Sequence, residues 1–126
     1  MVEAPIPIKV TVDEEVFHAF LERNETTQKF IEMLPTTVEM LNTNNREMRH
    51  NFSVNLPSKQ ARRNTYYTGE IAYLTASRSL VIFYQQIGRE IDNLQRMGGF
   101  YSEGDVAFFQ DLEKASVTFE LDTNRQ

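Results

Sequence analysis

With 126 residues the chain fits one domain, and a core at that length can bury roughly two-thirds of the surface that the unfolded chain exposes, so no covalent staple is needed. Cysteine is absent, which excludes disulfides and thiolate metal sites, and only two histidines are present, His18 and His50. A formal charge of −5, from 13 Lys and Arg against 18 Asp and Glu, repels phosphate backbones and argues against nucleic acid as a partner.

Residues 1–8 have neither a basic start nor an apolar signal core, and no apolar run approaches the ~18 residues of a membrane span. The expectation is a cytoplasmic protein with no membrane contact. Ile6, Ile8, Val10 and Val12 then alternate as in a half-buried strand, with Pro5 and Pro7 at its beginning. Asp13-Glu14 reads as a tight turn and residues 16–21 as the return strand, so residues 6–22 are predicted to be a hairpin. Asn24 is placed to cap a helix over residues 25–34. Glu25 suits the positive end of its dipole, Phe30, Ile31 and Leu34 gather on one side, and Pro35 stops it.

Two further strands, 37–41 and 47–54, flank Asn42-Thr-Asn-Asn45, where asparagine tolerates left-handed backbone. Residues 56–65 have no apolar period and read as an exposed loop. The most telling stretch is Thr68–Tyr84: two apolar runs around a polar break give strands at 66–74 and 80–84, the second fully buried. A short strand over 88–94 follows, with Gly98-Gly99 as a flexible corner. Ser102–Asp105 offers a cap for a helix near 105–112 that turns Val106, Phe109 and Leu112 inward. Residues 115–121 alternate as a closing strand, and 123–126 read as a frayed end. No repeat or interdomain linker interrupts residues 1–126, which are taken as one domain. About eight short strands cannot lie flat without leaving two adhesive edges. A closed or nearly closed eight-stranded barrel, its ends plugged by two short helices, is therefore expected in preference to a lipocalin-type meander, which an early helix would interrupt.

In that order the segments resemble the cyclophilin-like domain family of small bacterial proteins, fold relatives of the cyclophilins. The matching pieces are the opening hairpin, residues 26–35, Gly69-Glu-Ile-Ala-Tyr73, Leu80-Val-Ile-Phe-Tyr84, Ile87-Gly88 and Val117-Thr-Phe-Glu120. The resemblance implies the eight-stranded barrel with two helices, but shared fold does not transmit activity. Cyclophilins rely on a Phe-His-Arg motif and a Gln-Gly-Gly-Asp stretch, and neither is present. Phe17-His18-Ala19 lacks the arginine and precedes the first helix. Arg49-His50-Asn51-Phe52 lies nearer the expected place, in a different order. The resemblance therefore implies a non-catalytic module that binds a peptide segment or small molecule. The alternative is a prolyl isomerase with a rearranged site in which Arg49 serves as a donor to the prolyl nitrogen or carbonyl, and a purely structural or assembly protein is compatible with the same residues.

Candidate site residues follow from the strand around His50. Arg46, Met48, His50 and Phe52 share one face and Arg49 the other, so Arg49 and His50 can line one pocket only if a bulge intervenes. Arg49, His50, Phe52, Tyr66, Tyr67 and Tyr84 are put forward as ligand-binding residues, because strands 47–54 and 66–74 flank the long polar loop and rings with polar tips suit a peptide or small ligand. The competing reading makes the tyrosines barrel core and His50 a surface residue; His18 reads as structural. The basic pairs Arg46/Arg49 and Arg62-Arg63 read as solvated loop positions. No His-x-x-x-His spacing, nucleophile elbow or phosphate-loop glycine pattern occurs, so no metal, cofactor or catalytic residue is assigned.

Overall fold

The protein was analysed as a computed structural model, which describes residues 4–88 and 90–123. Residues 1–3, at the start of the segment read for a leader, and 124–126, in the expected frayed end, lie outside the described residues.

Alternation of the predicted kind builds the first hairpin, β1 (Ile6–Val12) and β2 (Glu15–Leu21), with Asp13 in left-handed backbone at its turn. Asn24 caps the helix α1 (Glu25–Ile31) by accepting from the Thr27 N–H at 2.9 Å, while the Thr27 hydroxyl oxygen accepts from the Asn24 N–H at 3.0 Å. The helix ends a turn earlier than the position of Pro35 suggested. Strands β3 (Thr36–Thr43) and β4 (Glu47–Asn51) are joined through Asn44 and Asn45, both left-handed. β6 (Glu70–Leu74) and β7 (Ser79–Phe83) are buried at every position and joined by a 3-10 turn, Thr75–Ser77. β8 (Ile91–Phe100), a 3-10 helix (Glu103–Phe109) and β9 (Lys114–Leu121) complete the chain.

Three expectations are corrected here. The loop 56–65 contains a short strand, β5 (Arg62–Asn64), which pairs with β8. It escapes periodicity because its residues are polar and lie at a wall edge. Gly98-Gly99 is not a corner but part of β8: a Cβ on Gly98 would lie 1.9 Å from the Phe20 carbonyl oxygen, so only glycine lets β2 approach. The second helix is 3-10 rather than α, spans 103–109, and has no side-chain cap from Ser102.

All pairings are antiparallel. The order β2-β1-β9-β3-β4-β7-β6-β8 closes through β2–β8 into an eight-stranded barrel, with β5 added to β8. Inside lie Ile8, Val10, Met40, Met48, Ile71, Tyr73, Leu80, Ile82 and Phe119, all fully buried. Phe30 of α1 packs edge-on against Phe119 at one end of the barrel, and Phe109 of the 3-10 helix packs against Phe17 and Phe100 at the other. A smaller outer core of Tyr66, Ala72, Leu74, Val81, Phe83 and Leu94 lies on the far side of β6 and β7, which explains why those strands are apolar on both faces. Two ladders are much shorter than their neighbours. β3–β4 runs only from Leu41↔Arg49 to Thr43↔Glu47, and β2–β8 only from Ala19↔Phe100 to Leu21↔Gly98.

Candidate ligand site

The short β3–β4 ladder opens a seam in the wall. β3 continues along β9 to Thr36 and β4 continues along β7 to Asn51, but Met40 and His50, Glu39 and Asn51 do not pair. A depression of about 370 Å³ sits over this gap, lined by Glu39, Leu41, Thr43, Arg49, His50 and Asn51. Because it straddles a gap rather than one face, Arg49 and His50 both reach it, as the strand pattern alone forbids.

His50 partly fills the gap. Its Nδ1 lies 3.0 Å from the Glu39 carbonyl oxygen, which can only accept, so this nitrogen carries the proton and the side chain replaces a missing ladder bond. Its ring meets Phe52 edge-on with centroids 5.1 Å apart. Phe52 is buried against Phe30 and Tyr73 and supports His50 from within the core.

Arg49 is held from the outer face. Glu47, fully buried, receives the Arg46 Nε at 2.5 Å on one oxygen and the Arg49 Nε and Nη2 at 2.8 and 2.6 Å on the other. Two arginines on one desolvated carboxylate fix both guanidiniums. Arg46 does not share the His50 face as expected. It belongs to the turn, and its guanidinium lies 5.8 Å from the centroid of Tyr66 and 5.9 Å from that of Phe83.

None of the three candidate tyrosines lines the depression. Tyr66 is buried in the outer core, stacked on Phe83 at 4.2 Å, and its hydroxyl donates to the Ile87 carbonyl. Tyr84 is buried too, with its hydroxyl 2.5 Å from the Asn42 side-chain oxygen. Tyr67 is exposed on the outer wall beneath the Arg96 guanidinium, 5.3 Å from its ring centroid. His18 places Nδ1 3.3 Å from a carboxylate oxygen of Asp122, whose side chain is almost fully buried.

Sequence reasoning missed the buried carboxylates. Glu47 anchors Arg49, and the signal was present in the Arg46-Glu47-x-Arg49 spacing, which puts Glu47 and Arg49 on one strand face. Glu70, fully buried on β6, lies 3.3 Å from the Arg96 Nε and accepts from the Tyr67 N–H at 3.2 Å. Burial pushes the Glu70 carboxyl above its ordinary range, with the charge of Arg96 pulling part of the way back. Burial, and next the charge of Glu70, push the Tyr67 phenol up as well. Among the described residues no group of three or more His, Asp or Glu is placed to hold a metal ion, and no helix is long and apolar enough to cross a membrane.

A closed eight-stranded antiparallel barrel with a short helix at either end defines the cyclophilin-like class of β-barrel proteins. The chain belongs to the Cyclophilin-like family, which it matches over residues 10–120. It is similar in structure to a hypothetical protein from Archaeoglobus fulgidus, known from a solution structure, with a TM-score of 0.70 and 14% identity over 97% of this chain and 100% of that one. At that identity the likeness concerns the fold. No curated protein matches the chain.

Proposed function

We propose that this protein is a non-catalytic, cytoplasmic cyclophilin-like module that binds an extended peptide segment or a small molecule at the β3–β4 seam. The observation that carries this reading is the depression over the gap. There β3 leaves its edge unpaired beyond Leu41, while Arg49, His50, Glu39 and Asn51 surround it with polar groups. An extended peptide laid along such an edge gains main-chain hydrogen bonds, and the side chains around it select among sequences. Arg49 with Glu47 and His50 with Glu39 are already held in place, so little side-chain freedom is lost on binding. The same ion pair counts against the rearranged isomerase, because Nε and Nη2 of Arg49 are engaged by Glu47 instead of being aimed at a substrate carbonyl.

The test uses a proline-containing tetrapeptide and the intact protein. Saturable amide shift changes are expected at Glu39, Leu41, Arg49, His50 and Asn51, with no acceleration of X-Pro exchange beyond its spontaneous relaxation over tens to hundreds of seconds. Catalysis that disappears in Arg49→Ala would replace the binding reading with the isomerase one. Shift changes located elsewhere would remove the seam from consideration.

A further inference from the structure

The second short ladder opens a second site. Along one edge of β8, β5 pairs at Ile91 and Leu94 and β2 pairs from Gly98 onward, leaving an interval between them that neither strand covers. The interval is bounded by backbone, since the Glu22 N–H donates to the Met97 carbonyl at 2.7 Å and the Asn24 side-chain amide donates to the Arg96 carbonyl at 3.1 Å. A groove of about 220 Å³ lies over it, and apart from Leu94 its lining is wholly polar: Glu22, Gln60, Arg62, Asn64, Gln95 and Arg96.

We propose that this groove is a ligand site, distinct from the β3–β4 seam, for a small carboxylate-bearing molecule that also carries a hydrogen-bond donor such as an amine. Two observations support it. Arg62 is exposed and makes no ion pair among the described residues, whereas Arg46, Arg49, Arg63 and Arg96 all have carboxylate partners. Its charge is available to an incoming carboxylate, which a guanidinium fork recognises with directional bonds. Arg96, in turn, is fixed in place between the Tyr67 ring and the buried Glu70, so the site needs no rearrangement to receive a ligand.

The balance of charge narrows the class. Glu70 offsets Arg96, leaving Arg62 and Glu22 as the charges that an occupant must answer. One carboxylate against Arg62 and one amine against Glu22 match that pair; a phosphate would bring excess negative charge toward Glu22. Room for roughly a dozen heavy atoms in 220 Å³ fits an amino-acid-sized molecule.

The experiment titrates the isotope-labelled full chain with 4-aminobutyrate, and in parallel with butyrate, which lacks the amine, in 150 mM salt to screen non-specific attraction. Saturable 4-aminobutyrate shifts are expected at Arg62, Gln95 and Arg96 and not at Arg49 or His50. Binding should weaken at least tenfold in Arg62→Gln, an exposed substitution that leaves the core untouched, and at least tenfold on replacing 4-aminobutyrate by butyrate. Absence of saturable shifts, affinity unchanged in Arg62→Gln, or equal binding of butyrate would each overturn the proposal. Failure here would leave the seam reading intact, because the two sites report on different amides.

Discussion

Glu70 and Phe83 show how far single side chains govern this wall. The Glu70 carboxyl titrates above its ordinary range because burial penalises the charged form more than Arg96 rewards it. Between the ordinary carboxylate range and the raised value, the folded chain keeps a proton that the unfolded chain has released. The contribution of Glu70 to stability is therefore fully present below the ordinary range and is lost as pH rises through the raised value. Urea unfolding of the parent and Glu70→Gln across this window should show the difference moving in favour of the parent as pH falls; a difference that is flat, or of opposite slope, would contradict the burial argument. Phe83 has a simpler role. It is fully buried in the outer core against the Tyr66 ring, so Phe83→Ala is expected to cost ~3–5 kcal/mol through lost burial and a residual cavity. The check is a lower urea midpoint at unchanged slope.

At the scale of elements, the two pieces that close the barrel are set by small chemical details. Gly98 faces the β2 backbone, with the Phe20 carbonyl oxygen at 1.9 Å and the Leu21 Cα at 2.9 Å from where a Cβ would sit. Gly98→Ala must push β2 off β8, and its cost should exceed the ~1–3 kcal/mol of ordinary overpacking. Gly104→Ala, where nothing comes nearer than 4.0 Å, is expected to leave the thermal midpoint almost unchanged. Similar midpoints for the two variants would mean that the β2–β8 ladder is not needed. Asn24 both caps α1 and ties it to β8 through the Arg96 carbonyl, so Asn24→Ala should cost at least the ~1 kcal/mol of a lost cap, measured by denaturation. These details also mark the limit of what the sequence reveals. β1 and β9 bury one face and so alternate, β6 and β7 bury both and so read as continuous apolar runs, and both kinds of strand are legible. β5 is polar and three residues long, and the glycines of β8 mimic a turn, so neither carries a pattern that separates it from loop. Arg49 and His50 were legible as neighbours of the long loop. The tyrosines were not, because aromatic identity indicates burial without indicating which side of a wall or which core.

For the whole molecule, the β3–β4 depression and the polar groove on β8 lie beside the two ladders of the ring with the fewest paired residues. The barrel wall is continuous in outline but uneven in hydrogen bonding, and polar side chains collect where the ladders end: His50 on one side, Asn24 and Gln95 on the other. Both depressions are lined chiefly by strand residues.

The two three-pair ladders lie opposite each other in the strand order, so they divide the barrel into a four-stranded half, β2-β1-β9-β3, and another, β4-β7-β6-β8. Each half is knit internally by ladders of four to seven pairs. The protein is in this sense a clasped book whose covers meet along two narrow spines. Amide protons at Leu41, Arg49, Phe20 and Gly99 should exchange with deuterium well before those in the middle of β1 or β7, through sub-global opening that leaves both covers folded. Uniform protection around the barrel would show instead that it opens only by unfolding as a whole.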